Sequence, residues 1–372
     1  MRSDRLSQKT EHASAPANSP LPTTAAVFHG PDKSLEIRDF PMPIAQEGEV
    51  VIEISCCTLC GSDLHTITGR RHCHGQAILG HEAIGRVCQL PPNSSVLASD
   101  ERALQLGDRV TWGIVASCHQ CQMCKRGLTQ KCEKLIKFGH EAVDGSGRIS
   151  GGLATHCLLP RGSTIVRLPD SLPDQVACPA NCAAATVLAA IRLIGSCEGK
   201  RILVMGGGML GLMSAAAARY HRAKTVVVCD PQPNRREWAL RFGADATIDM
   251  VVPQHQEDFD IAIDMTGVPD AIESAFEALA IGGHLLLIGS VFPSRDLALP
   301  AEQIVRRMIR IEGLHNYTGS DLVNAVDFLA ATWKLFPFLE LVDTEYSLKE
   351  VNQAIQAAIA GRHIRTAIRP QI

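Results

Sequence analysis

Four cysteines lie close together in the chain: Cys118, Cys121, Cys124 and Cys132, spaced C-x2-C-x2-C-x7-C. Four thiolates at these intervals fill the tetrahedral shell of Zn²⁺ and leave no position for water, which is the pattern of a structural site. His119 falls inside the run, but four sulfurs already complete the shell. A second metal centre is less visible because its ligands are scattered. Cys60 and His81 each sit on a turn beside an apolar run. A catalytic zinc takes three protein ligands and keeps one position open, so a third must come from elsewhere. Cys182 is the first choice and Cys178 the alternative, both in the segment 178–182.

Glycines make the next constellation. After the apolar run Ile202–Met205 come Gly206, Gly208 and Gly211, spaced G-x-G-x-x-G. An alanine-rich helix follows from Leu210 to about Tyr220, then a second apolar run, Thr225–Cys229, and Asp230. Strand, glycine turn, helix, strand and acid in this order make a dinucleotide site. Gly206 permits the tight turn, Gly208 lets the backbone approach a diphosphate, and Gly211 lets helix and strand pack closely. The start of the helix, with Met209 and Leu210, offers N–H groups and a partial positive charge to the phosphates. Asp230 would accept from the adenosine ribose hydroxyls and repel a 2′-phosphate, which favours NAD over NADP. Arg235 and Arg236 lie just beyond and could attract that phosphate.

These groups need two kinds of scaffold. From Thr24 the pattern is β, with short strands at Ala25–His29, Leu35–Asp39, Val50–Cys56 and Ala83–Leu90 between Pro and Gly turns. From Ala183 helices and strands alternate. Helices at Ala183–Ile194, Leu210–Tyr220, Asn234–Phe242 and Ala271–Ala280 separate strands at Ile202–Met205, Thr225–Cys229, Ala246–Ile248, Asp260–Asp264, His284–Ile288 and Ile309–Leu314. Such alternation implies a doubly wound parallel sheet with helices on both faces. Two further helices, Asp321–Trp333 and Leu348–Ala360, and a closing strand at His363–Pro370 return to the first scaffold. Residues 1–22, rich in Ser, Pro, Thr and Ala, read as a flexible tail.

Composition excludes other classes. A net charge of −3 gives no bulk attraction to a polyanion, so no nucleic-acid partner is expected. The longest apolar stretch, Ala177–Cys197, is broken by Pro179, Asn181 and Arg192 and is not a membrane span. The first twenty residues are polar, without the apolar run of a signal peptide, so the expected location is cytoplasmic. Fourteen cysteines in such a chain read as metal ligands and buried fillers rather than disulfides.

Cys60-Gly-Ser-Asp63, Gly80-His-Glu82, the four-cysteine loop, Cys182, Gly206–Gly211 and Asp230 occur in an order and at intervals that resemble one family. It is the zinc-dependent medium-chain dehydrogenase/reductases, the alcohol dehydrogenase group, and the similarity runs from about Thr24 to Ile372. The resemblance implies an α/β chain: a GroES-like β-rich catalytic domain over 23–185, completed by 317–372, and a Rossmann NAD-binding domain over 186–316. It implies two Zn²⁺ per chain, with Cys60, His81 and Cys182 holding the catalytic ion, and NAD as cofactor. Asp63 and Glu82 would support the ligands, and Ser62 and His65 would relay the alcohol's proton. Arg365 would reach the cofactor phosphates. A second Gly-His-Glu, Gly139-His140-Glu141, follows the structural loop where the family has no ligand and is read as a decoy. A homodimer or homotetramer acting on a small alcohol, aldehyde or ketone is expected. The run from Cys60 through Arg70 and Arg71 is also similar to alcohol dehydrogenases associated with phosphonate catabolism. Its basic residues Arg70, Arg71, His72 and His74 suggest a substrate hydroxyl accompanied by an anionic group. A zinc-free quinone or enone reductase and a non-catalytic dinucleotide-binding protein are the alternatives, and the cysteines and the relay speak against them.

Overall fold

The computed structural model describes residues 22–73, 75–143, 148–251, 259–361 and 364–371. The expected tail, apart from Pro22, lies outside them, as do His74 and His363.

Six parallel strands form one sheet: Arg201–Met205, Thr225–Cys229, Ala246–Ile248, Phe259–Asp264, Leu279–Leu287 and Arg310–Gly313. Counted in chain order, they lie third, second, first, fourth, fifth, sixth across the sheet. The order reverses beside the first strand, where a doubly wound sheet leaves a crevice at its carboxyl ends. Arg201–Met205 is the central strand, flanked by Thr225–Cys229 and Phe259–Asp264, and its Ile202, Leu203 and Val204 are fully buried. That explains an unbroken apolar run rather than an alternating one. Helix Met209–Tyr220 packs over it through alanines 215–218, all inaccessible to solvent. The approach is close enough that a Cβ on Gly211 would lie 1.8 Å from the Gly206 carbonyl oxygen. Gly206 itself has φ +99°.

The β-rich part runs Val342–Ser347, Arg365–Arg369, Val50–Thr58, Glu82–Gln89, Arg109–Ala116 and Ile136–Lys137 in spatial order. The late strand Arg365–Arg369 pairs antiparallel with Val50–Thr58, with Ala367 opposite Thr58 and Ile368 opposite Cys57. Residues more than 300 positions apart in sequence therefore share one sheet. Helix Ala183–Ile194 packs against both Met209–Tyr220 and Gly319–Thr332. One apolar cluster continues from Cys56 and Ile84 through Ala184 and Leu188 to Val204 and Val228. The apolar stretch around Ala183 is thus core, and among the described residues no single helix is long and apolar enough to cross a membrane.

Candidate metal and dinucleotide site

Strand Val50–Thr58 leads into Cys60, which caps the seven-residue helix Gly61–Ile67. The helix puts Asp63 under two turns at once. Its buried carboxylate accepts from the Cys60 N–H at 2.9 Å, the Gly80 N–H at 3.2 Å and His81 Nδ1 at 3.2 Å. Gly80 has φ +86°, and a Cβ there would meet Cys57 Sγ at 2.8 Å and the Leu153 nitrogen at 2.9 Å, so this turn takes only glycine. With Nδ1 committed to Asp63, His81 turns Nε2 towards the cysteines. Cys182 comes from the other side, at the start of helix Ala183–Ile194.

The ligand atoms of Cys60, His81, Glu82 and Cys182 all lie within 4.8 Å of one another. Cys60 Sγ and Cys182 Sγ are 3.8 Å apart. Two sulfurs each ~2.3 Å from a tetrahedral zinc would be separated by about 3.8 Å, so the pair fits that ion. Cys178, by contrast, is fully buried in the apolar core and stands outside the group. The charges follow the geometry. Hydrogen bonding with Cys182, then Arg365 and His81, drives the Cys60 thiol far below its ordinary pKa against the effect of burial. Sharing that hydrogen bond, and burial, drive Cys182 far above it. Burial opposes a charged His81, yet Asp63 and Cys60 lift it to about 10.

Glu82 is inaccessible to solvent. It accepts from the Thr58 hydroxyl at 2.7 Å and from Arg365 Nε and Nη2 at 2.9 and 3.1 Å. Arg365 is itself buried, with Nη2 3.9 Å from Cys60 Sγ. This seat differs from the expected one beside the cofactor phosphates. Pairing of Arg365–Arg369 with Val50–Thr58 aims the guanidinium at Glu82, a contact that sequence position alone did not indicate.

Ser62 Oγ is 3.3 Å from His81 Nε2, so its hydroxyl faces the metal group. His65 lies one turn further along the same helix, its ring edge-on to Phe292 at 4.8 Å. Burial, then Arg70, lowers its pKa. Among the described residues Ser62 and His65 share no direct hydrogen bond, so a relay between them needs a third group. His140, expected to be a decoy, stands beside the centre: its ring is 5.7 Å from that of His81, and its Nδ1 is 2.9 Å from the Phe138 carbonyl oxygen. Burial, then the neighbouring His81, holds it neutral, down to about 3. Glu141 turns away and accepts the Lys137 backbone N–H at 2.7 Å.

Cys118, Cys121, Cys124 and Cys132 also gather within 4.8 Å. Backbone N–H groups point at their sulfurs: Cys118 and Lys134 donate to Cys132 Sγ at 3.2 and 3.3 Å, and Cys124 donates to Cys121 Sγ at 3.5 Å. Donors from Glu133 and Cys124 bring the Cys121 thiol down to about 6. His119 lies 3.2 Å from the Gly162 carbonyl oxygen instead.

At the glycine turn, Asp230 is buried and accepts from the Gly207 N–H and the Gln232 N–H, both at 2.8 Å. Each of its oxygens keeps a further lone pair for a ribose hydroxyl. Gly208 caps helix Met209–Tyr220, and a Cβ there would touch nothing within 4 Å, which leaves room over the helix N-terminus for a diphosphate. Arg235 lies 3.5 Å from Asp230, and Arg236 donates to the Asp230 and Pro231 carbonyls. A cleft of about 680 Å³ opens beyond the sheet's carboxyl end, lined by Ile288, Ser290, Val291, Leu314 and His315 from this half and by Lys131 from the other.

Residues 46–170 match the model of the alcohol dehydrogenase GroES-like domain, and residues 210–331 match that of zinc-binding dehydrogenases. An alcohol dehydrogenase of Geobacillus stearothermophilus is 28% identical over 351 residues, 91% of this chain and 96% of that one. A sorbitol dehydrogenase of Bacillus subtilis is 28% identical over 349 residues, 90% of this chain and 93% of that one. The crystal structure of an alcohol dehydrogenase from Thermotoga maritima superposes with a TM-score of 0.87 at 24% identity, covering 94% of this chain and all of that one. Two models that follow each other along the chain, with relatives aligned over nine-tenths of it, leave one assignment: the chain belongs to the zinc-dependent medium-chain dehydrogenase/reductases, in the alcohol dehydrogenase group.

Proposed function

We infer that the protein transfers hydride between the CH–OH carbon of an alcohol or polyol and NAD(P), with Zn²⁺ at Cys60, His81 and Cys182. The 3.8 Å sulfur pair facing His81 carries this reading. When bound, the zinc supplies the Lewis acidity that brings an alcohol's pKa towards neutrality, and the nicotinamide supplies the hydride acceptor. The chain's own residues do the rest. Asp63 fixes the His81 tautomer and holds the Cys60 and Gly80 turns together. Ser62, at 3.3 Å from His81 Nε2, is placed to accept the alcohol's proton. His65, one turn further along the same helix, would take it from Ser62 through a bridging hydroxyl or water and release it to solvent. Glu82 and Arg365 neutralise each other beneath Cys60.

A zinc-free quinone or enone reductase has no need of two gathered cysteine sets. The test is zinc analysis together with formation of reduced nicotinamide over a panel of primary, secondary and polyhydric alcohols. Two zinc ions per chain and turnover are expected. A zinc-free protein that reduces enones would sink the reading.

Asp230 makes NAD the favoured cofactor. Asp230→Ser removes a carboxylate from beside the ribose and releases Arg235. We expect kcat/KM with NAD to fall ~10–100-fold and that with NADP to hold or rise. An unchanged NAD-to-NADP ratio would place the selectivity elsewhere.

The parallel sheet ends on the edge strand Arg310–Gly313, beside the exposed Val305 and Met308. An open edge flanked by apolar side chains favours pairing with a second copy, and we propose a homodimer or a tetramer built from it. Light scattering should return two or four chain masses, and Arg310→Pro should lower that number.

A further inference from the structure

Around the metal group lies a set of cations that the proposed reaction does not use. Lys137 ends the two-residue strand Ile136–Lys137, opposite Val115, and is half-buried three residues before His140, whose ring neighbours that of His81. The backbone N–H of Arg71 donates to the His65 carbonyl at 3.0 Å, which ties Arg71 to the end of the helix that carries Ser62 and His65. Lys131 Nζ meets His315 Nδ1 at 2.5 Å across the mouth of the cleft. Arg71 lies within electrostatic reach of His65, Lys137, His140 and His315, and Lys137 within reach of the Cys60 and Cys182 sulfurs. Positive charge is therefore concentrated around the metal group, and Lys131 and His315 line the cleft that opens beside it. Burial, then Arg71, holds the Lys137 amine down at about 8.

What is missing is a negative partner. Among the described residues, none of Arg71, Lys131 and Lys137 forms an ion pair with a carboxylate. With zinc bound, its two charges match the Cys60 and Cys182 thiolates. Glu82 is matched by Arg365, and Asp63 is committed to His81 and two backbone N–H groups. Glu141 holds the Lys137 backbone, and Glu312 on the far wall pairs with Arg310 and His284. The dinucleotide's own phosphates belong at Gly206–Gly211, at the other end of the cofactor. A half-buried ammonium within electrostatic reach of a guanidinium is costly unless an anion joins them.

We propose that the substrate carries an oxyanion group, carboxylate or phosphoryl, close to its reacting hydroxyl, and that Lys137 and Arg71 receive it beside the Cys60–His81–Cys182 group. The proposal rests on the dehydrogenase reading above and names the substrate class. Lys137 and Arg71 act as specificity residues: they hold one end of the substrate so that its CH–OH carbon faces the nicotinamide. Lys131 and His315 line the entrance and add to the attraction of an anion from solvent.

The test compares alcohols that differ mainly in charge, using zinc-loaded enzyme and NAD: lactate against 2-propanol, and glycerol 3-phosphate against glycerol. The wild type should favour the charged member of at least one pair in kcat/KM. The responding pair identifies the group as carboxylate or phosphoryl. Lys137→Met should reduce the charged-to-neutral ratio about 10–100-fold, and Lys137→Arg should retain most of it. Independently of turnover, inorganic phosphate or acetate titrated into protein loaded with zinc and NAD should bind at one site per chain, about 10–100-fold more weakly in Lys137→Met. A wild type that favours the neutral member of both pairs overturns the proposal. So does an equal loss on charged and neutral alcohols in Lys137→Met, or a wild type that binds neither anion. Anion binding without oxidation of any alcohol would instead count against the dehydrogenase reading and leave the anion site standing.

Discussion

Cys182→Ala is expected to take the protein from two zinc ions per chain to one and to lower kcat/KM by ~10⁴-fold or more. The substitution removes one of the two sulfurs whose 3.8 Å spacing suits a single ion. Cys60 and His81 alone would make a weak two-ligand site. Cys182 is only partly buried, so truncation opens little of the core. Cys178→Ala is the matched control. That side chain is fully buried in the apolar cluster, so its loss should lower the melting temperature while leaving zinc content and turnover near wild type. Metal analysis, thermal melting and initial rates on the two variants decide it. If Cys178→Ala loses the metal and Cys182→Ala keeps it, the ligand assignment is wrong.

Zinc binding at the same site should release about two protons at neutral pH, and the apparent affinity should fall ~100-fold for each unit the pH is lowered. The sign comes from the apo charges. Cys60 lies far below its ordinary value and is already a thiolate. Cys182, far above it, holds its proton, and His81, raised to about 10, is an imidazolium. Zinc takes thiolates and a neutral imidazole, so Cys182 and His81 must each give up a proton. His81 stays protonated below about pH 10, and burial with the shared hydrogen bond keeps the proton on Cys182. The penalty on binding therefore grows as pH falls and vanishes only at high pH. Calorimetry of apo-protein and zinc in buffers of different ionisation enthalpy measures the proton count directly. A count of zero would mean that His81 and Cys182 are already deprotonated without the metal.

Much of the scaffold was legible because it repeats simple patterns. The parallel strands are apolar runs between helices, and the expected bounds of Thr225–Cys229 and Ala246–Ile248 coincide with those observed. Leu279–Leu287 starts earlier than the expected His284 because Leu279 already pairs with Phe259, and a bulge with Gly282 at φ +75° separates that pair from the regular ladder that begins at His284. The candidate metal residues were legible by type, and the grouping of Cys60, His81 and Cys182 came from the family resemblance. Spacing alone carries no record of it, since Cys60 and Cys182 are brought together by packing of the helix that starts at Ala183.

Helix Gly61–Ile67 escaped notice because seven mostly polar residues show no apolar period. An acid three residues after its cap, Asp63 following Cys60, was the available signal. Arg365 was assigned by analogy to a phosphate, whereas its partner Glu82 lies 283 residues away and became visible only with the strand pairing. His140 was set aside because it follows the structural loop, and Lys137 carried no signal of its own. The turn at Gly139, with φ +73°, carries the chain back to the centre.

Helix Ala183–Ile194 packs against Met209–Tyr220 and Gly319–Thr332 and begins at Cys182, the proposed third ligand. Cys60 and His81 hang from turns of the β-rich sheet, and Asp63 clamps them to each other. Cys182 alone starts the helix on which Met209–Tyr220 of the nucleotide half packs. An ion held by all three residues would therefore fasten that helix to the turns of the β-rich sheet, so that zinc would serve cohesion between the two halves as well as chemistry.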